Sequence, residues 1–206
     1  MASEQEPRKP RIDKITILSP RESKWIEFLK VDRTGQNGKQ RVWETVARKT
    51  RGTAGVDAVA IITLLKHPSR SVSTIIILQY RSPVDAIYAE FPAGLIGGSE
   101  TPKFATEKEL KEEAGYVGKV VSMSPVIVSN SGMSTGNMQL ATVEAQLKEG
   151  DEVSKQHLDR GEFIQLVIVP LEVLYDELEQ FSKESKKVDS RLWHTAAGAR
   201  LASQLG

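Results

Sequence analysis

The stretch GLIGGSETPKFATEKELKEEAGY, residues 94–116, decides how the chain is read. Thr101 before Pro102 marks a helix N-cap followed by proline at the first helical position, and Gly115 marks a left-handed stop. The helix predicted between them, 102–114, carries Glu109, Glu112 and Glu113 at i, i+3 and i+4, which places three carboxylates on one face at its C-terminal end. That end of a helix is already partly negative, so each carboxylate costs a few tenths of a kcal/mol. Lys108 and Lys111 would neutralise part of this on a plain solvated helix. The glycine-rich loop before the helix, with Glu100 just ahead of it, favours another reading. Hard oxygen ligands converging in one place suit Mg²⁺, with Mn²⁺ as the alternative, and a cation held this way serves phosphoryl chemistry.

Outward from the helix, AVAIITLL (58–65) and VSTIIILQYR (72–81) are short β-branched runs that predict a pair of buried core strands. AIYAEFPAG (86–94) is extended, and further strands are expected at 119–128, 138–147 and 163–169. Towards the N-terminus, KITILSP (14–20) and WIEFLKVDR (25–33) are rich in β-formers, and Asn37-Gly38 signals a hairpin before RVWETVARKT. Towards the C-terminus the period changes to 3.6. Leu171, Leu174, Tyr175, Leu178 and Phe181 share one face of a helix starting near Pro170, and Leu192, Ala196, Ala199 and Leu205 suggest another that Trp193 helps to pack. The polar segment 148–162 reads as a long functional loop.

The 206 residues suit one domain with an added substructure. With 28 Lys+Arg against 27 Asp+Glu, no overall field draws the chain onto nucleic acid or an anionic membrane, so neither is expected as a partner. Zero cysteines exclude disulfides, thiolate metal sites and a cysteine nucleophile. The first residues, MASEQEPRKPRIDK, lack the apolar stretch of a signal peptide, and no run reaches membrane-spanning length. A cytoplasmic protein is expected, with the nucleus as the alternative.

The spacing of Gly94, Glu100, Lys108-Glu109-Leu110, Glu112-Glu113 and Gly115-Tyr116 resembles the Nudix box, with lysine at 108 where the family has arginine. The resemblance extends through KWIEFLKV, RVWETVARKTR, LQYRSPV, AEFPAGLI, SPVIVSNSGMS and RGEFIQL, over roughly residues 24–175, to the ADP-ribose (ADP-sugar) pyrophosphatases of eukaryotes. It implies an α/β/α sandwich on a mixed sheet, an α/β (α+β) fold with an N-terminal β substructure used in dimerisation. The implied organisation is a tail at 1–13, a β region for dimerisation and nucleobase binding at 14–57, and the hydrolase domain at 58–206. The implied reaction is Mg²⁺-dependent hydrolysis of ADP-ribose, and of other ADP-sugars, to AMP and ribose 5-phosphate by a domain-swapped homodimer. Rival readings are a binding module that has lost efficient hydrolysis and an enzyme redirected to another nucleoside diphosphate derivative.

Carried over by matching position, the metal ligands would be Glu109, Glu112, Glu113 and the carbonyl of Ala93, with Glu90 joining through water or else pairing with a nearby base. Glu162 would be the general base, and Glu112 and Lys108 would complete the catalytic set. Lysine at 108 keeps the charge but loses the bidentate fork, so it is expected to pair with a box glutamate and to lower activity. Arg48, or Arg51 in its place, and Arg81 would hold the diphosphate. Trp25 and Trp43, one from each subunit, would sandwich the adenine, with Gly132 and Met133 also touching substrate. Asn130, where an aspartate would match, implies altered contacts near the nucleobase or ribose.

Overall fold

The structure is a computed structural model, and it describes residues 10–151 and 163–205. Strands β1 (Ile26–Thr34) and β2 (Gln40–Arg48) pair antiparallel from Ile26↔Arg48 to Thr34↔Gln40, as a hairpin apart from the main sheet. Asn37-Gly38 sits in the turn as expected. Gly38 has φ of 74°, a left-handed value that suits glycine, and Asn37 Oδ1 accepts the Lys39 N–H at 3.2 Å. The β-formers at 14–20 make no strand. Ile15 and Ile17 are 84% and 99% exposed, and without a partner strand or an apolar face to cover them, propensity alone does not hold extended structure.

The main sheet contains β3 (Ala58–His67), β4 (Arg70–Arg81), β5 (Ala86–Glu90), β6 (Ala93–Leu95), β7 (Lys119–Met123), β8 (Ile127–Val128), β9 (Asn137–Gln146), β10 (Gln165–Pro170) and β11 (Lys187–Val188). Its path is β11-β5-β4-β3-β9-β7, with β10 on β4, β6 on β3 and β8 on β9. The pairs β3–β9 and β5–β11 are parallel and the rest antiparallel, so the sheet is mixed. The strand expected at 119–128 is split, because its two parts pair with different stretches of β9 and between them the Ser124 hydroxyl takes the Leu140 N–H in place of a backbone carbonyl.

Helices α1 (Pro102–Glu109), α2 (Leu174–Lys183) and α3 (Ser190–Leu205) cover the sheet. The period of two along β4 sends Ile75 and Ile76 to opposite faces. Ile75 joins Ile61, Leu65 and Val143 against Leu110 and Ala114, at the end of the carboxylate helix. Ile76 joins Leu78, Ala89 and Phe91 against Leu174, Leu178 and Phe181 of α2 and Leu192 and Ala196 of α3. Each of these large buried side chains contributes roughly 1.5–3 kcal/mol relative to exposure, and the sandwich is the arrangement that buries both faces. A 3-10 turn, Leu171–Val173, precedes α2. Trp193 packs on Tyr175 with ring centroids 4.9 Å apart, as helix packing requires. Ala199 and Leu205 are exposed, so only the first half of α3 belongs to the core.

Candidate functional site

Both ends of the carboxylate helix are built as the sequence marks them. Thr101 Oγ1 accepts the Phe104 N–H at 3.2 Å, Pro102 opens the helix, and Gly115, with φ of 74°, stops it and donates its N–H to the Lys111 carbonyl at 3.0 Å. The interior differs from an unbroken α-helix. Leu110–Ala114 forms a π turn, whose wider spacing rotates the later residues away from the face that a 3.6 period assigns them.

The three glutamates therefore separate. Glu113 is buried and accepts the Ala93 N–H at 3.0 Å. Glu109 lies against Gly94, where a Cβ would sit 1.9 Å from its Cδ. Both carboxylates thus meet the backbone of β6, which β3 fixes through the pairs Ala60↔Ala93 and Val59↔Gly94. Glu112 stays exposed, with no hydrogen bond or ion pair among the described residues, so the expected common face of three carboxylates is not formed. Among the described residues no three acidic or histidine side chains form a cation cage. The donor chemistry nevertheless fits a divalent cation, since two carboxylates lie at adjacent residues of one strand and the Gly94 cradle is filled by a glutamate.

Lys108 Nζ lies 3.6 Å from Glu100 Oε1, and Glu100 Oε2 accepts the Gly97 N–H at 3.2 Å, which links the helix back to the glycine loop. Glu90, 5% exposed, accepts from Arg81 Nε at 2.7 Å and Gln79 Nε2 at 3.0 Å. Glu90 is thus paired with a base at the end of its strand. Arg81 keeps its terminal guanidinium nitrogens without hydrogen bonds among the described residues.

Arg48 and Arg51 differ in their partners. Arg51 grips Asp57 with both ends of its fork, at 2.8 and 2.7 Å, whereas Arg48 is exposed at the end of β2 and its side chain makes no hydrogen bond or ion pair among the described residues. Burial pushes the Asp57 carboxyl up, but the Arg51 fork and the Asn137 N–H outweigh it and hold the group below its ordinary value.

Trp43, Gly132 and Met133 come together. The Trp43 indole N–H donates to the Gly132 carbonyl at 3.2 Å, and the Met133 carbonyl accepts from Thr45 Oγ1 at 3.0 Å and the Val46 N–H at 3.1 Å. Trp25 lies apart from them. Its carbonyl accepts the Lys49 N–H, one rung beyond Ile26↔Arg48, whereas Trp43 pairs with Val31. Those rungs are separated by roughly 20 Å along the hairpin, too far for both rings of one chain to stack on one purine. Glu162 lies outside the described residues. A cavity of about 640 Å³, lined by Lys183, Lys187, Trp193 and His194 among others, lies on elements that carry none of these residues.

Several buried polar contacts were not legible in the sequence. Asp57 and Asn137 have no motif, and only the fold brings them together. Asp189 caps α3, accepts the Arg191 fork and the Tyr88 hydroxyl, and sits 3% exposed beside β5. An Asp just ahead of an apolar helical pattern is an N-cap signal that could have found it.

Among the described residues, no helix is long and apolar enough to cross a membrane. A NUDIX domain profile matches residues 55–192, and hydrolases of this kind generally need a divalent metal ion. The chain is 37% identical over 184 residues to an ADP-ribose pyrophosphatase of Saccharomyces cerevisiae, covering 88% of this chain and 79% of that protein. It is 31% identical over 194 residues to an ADP-sugar pyrophosphatase of Mus musculus, covering 93% and 88%. A crystal structure of an ADP compounds hydrolase superposes with a TM-score of 0.53 at 22% identity, covering 85% of each chain, and supports the fold. With its domain matched, its box helix seated on β6 and its mixed sheet closed on both faces, the chain belongs to the Nudix hydrolases.

Proposed function

We propose that the protein hydrolyses the diphosphate of ADP-ribose to AMP and ribose 5-phosphate, with Mg²⁺ as the working ion and Mn²⁺ as a substitute. The observation that carries the reading is the seating of Glu109 and Glu113 at Gly94 and Ala93. The names of the yeast and mouse relatives direct it to ADP-sugars.

Glu109, Glu113 and the Ala93 carbonyl would hold the cation, with Glu112 joining from the exposed side of the π turn. When bound, a divalent cation neutralises diphosphate charge and makes nearby water more acidic. Arg48 and Arg81 clamp the phosphate oxygens, for which a planar fork of donors is suited. Glu162 removes the proton from the attacking water, whose oxygen bonds to one phosphorus as the bridging P–O bond breaks. Lys108 braces Glu100 at the helix entry.

Adenine binds between Trp43 of one copy and Trp25 of another, in a homodimer that exchanges its 14–57 region. The separation of the two rings along one hairpin supports this, as do the exposed Phe28, Val31 and Val42. Zero cysteines suit a reducing compartment, the cytoplasm or the nucleus.

Chromatography of ADP-ribose, ADP-glucose and NADH with and without Mg²⁺ tests the reaction. The expected result is metal-dependent AMP and ribose 5-phosphate. Binding without turnover would replace the reading with that of a binding module. Mixing Trp25→Ala with Trp43→Ala chains tests the dimer. Random exchange should restore about a quarter of the intact sites, because half of the dimers are mixed and each has one complete site; no recovery overturns the shared pocket.

A further inference from the structure

Asp57 is a carboxylate at 2% side-chain exposure that the reaction above does not use. Burying such a charge is costly unless it is paired and hydrogen-bonded, and here every partner belongs to one knot. Arg51 holds both of its oxygens and donates from Nη2 to the Thr135 carbonyl at 2.6 Å. The Asn137 N–H donates to Asp57 Oδ2 at 3.0 Å, while Asn137 Oδ1 accepts the Asp57 N–H at 2.9 Å. Asn137 Nδ2 then donates to the Gly55 carbonyl at 2.9 Å. The knot thus pins the C-terminal end of the loop 130–137.

The middle of the same loop is pinned to β2, where the Gly132 carbonyl receives the Trp43 indole N–H and the Thr135 N–H donates to the Val46 carbonyl at 2.9 Å. The carboxylates of the box helix rest instead on β6, which none of the knot's side-chain bonds reaches; the Asp57 backbone alone adjoins it, its carbonyl accepting the Ile96 N–H at 3.0 Å. The Asp57 side chain therefore serves the loop, while its backbone serves the strand and is kept when the side chain is changed.

We propose that Asp57, acting through Arg51 and Asn137, is a positioning residue for the nucleoside end of the substrate, setting loop 130–137 and with it the Trp43 indole. This rests on the substrate reading above. The probes are AMP for the nucleoside end and ribose 5-phosphate for the other end, with Asp57→Asn and Asn137→Ala as variants of the full chain. Asp57→Asn keeps the shape and removes the charge; Asn137→Ala removes one acceptor and one donor while leaving the Arg51 pair. Calorimetry should show AMP binding weakened about tenfold in each, with the inhibition constant of ribose 5-phosphate and kcat both within about twofold of the parent.

Unchanged AMP affinity, or AMP, ribose 5-phosphate and kcat all falling together, overturns the proposal, as does failure of both variants to fold. If the parent protein binds AMP but does not turn over ADP-ribose, the substrate reading fails, and AMP calorimetry still decides the role of Asp57.

Discussion

Replacing Gly94 by alanine tests the seating of the carboxylate helix most directly. The added Cβ would lie 1.9 Å from Glu109 Cδ and 2.2 Å from Oε1, whereas ordinary carbon contacts lie near 3.5 Å, so the carboxylate must move by about 1.5 Å. The obstructing atoms are the end of a flexible side chain and Gly94 has no positive φ, so the backbone accepts the change. A misplacement of ~1 Å in a reacting constellation costs on the order of 100-fold, or about 3 kcal/mol of transition-state stabilisation. Stability should move by less than about 1 kcal/mol, since glycine to alanine also restrains the unfolded chain, and Tm by no more than about 3 °C. The assay is kcat for ADP-ribose at saturating Mg²⁺ beside a thermal melt. Gly97→Ala is the control: its Cβ would meet only Glu100 Oε2, at 3.8 Å, and the variant should match the parent. A Gly94→Ala enzyme with parental kcat would refute the placement of Glu109, and a melt lowered by about 10 °C or more would refute the claim that only a side chain yields.

Glu113→Gln keeps an oxygen to accept the Ala93 N–H but loses the charge, so turnover should fall by about two orders of magnitude or more with the melt unchanged; parental turnover would remove Glu113 from the metal set. Lys108→Arg should leave kcat unchanged or raise it, because the guanidinium can still reach Glu100; a large fall in kcat would mean that the pocket is built around lysine. Arg191→Ala leaves the buried Asp189 carboxylate without its fork and should cost about 3 kcal/mol in urea unfolding, against no loss if the pair is indifferent. Burial pushes the Asp189 carboxyl up, but the Arg191 fork outweighs it and holds the group below its ordinary 3.8. Its stabilisation is therefore complete above that pH and is lost as the pH falls through the lower folded value, and Asp189→Asn should flatten the acid limb of a stability-against-pH curve.

Local chemistry was legible where one residue type has one use. The Thr101-Pro102 start, the Gly115 stop and the Asn37-Gly38 turn follow from the sequence because each states a backbone requirement. The adjacent core strands followed from β-branched runs of strand length. Residues 14–20 failed because β propensity needs a surface to lie on, and Ile17 finds none. The π turn was invisible, since LKEEA satisfies an α-helix equally well and it is the burial of Leu110, Glu113 and Ala114 that accompanies the wider turn. The same turn is why the spacing of the glutamates overstated how closely Glu112 joins its neighbours. Arg51 was an open alternative to Arg48 because Asp57, which claims it, is brought near only by the fold.

The spacing of Trp25 and Trp43 along one hairpin also bears on how the enzyme behaves on dilution. If each adenine pocket takes one ring from each copy, the number of complete pockets follows the law of mass action. Above the dimer dissociation constant, rate is proportional to protein; well below it, rate falls with the square of protein concentration, and substrate, by bridging the two rings, draws the copies back together. A cell could then tune the activity through the amount of the chain alone.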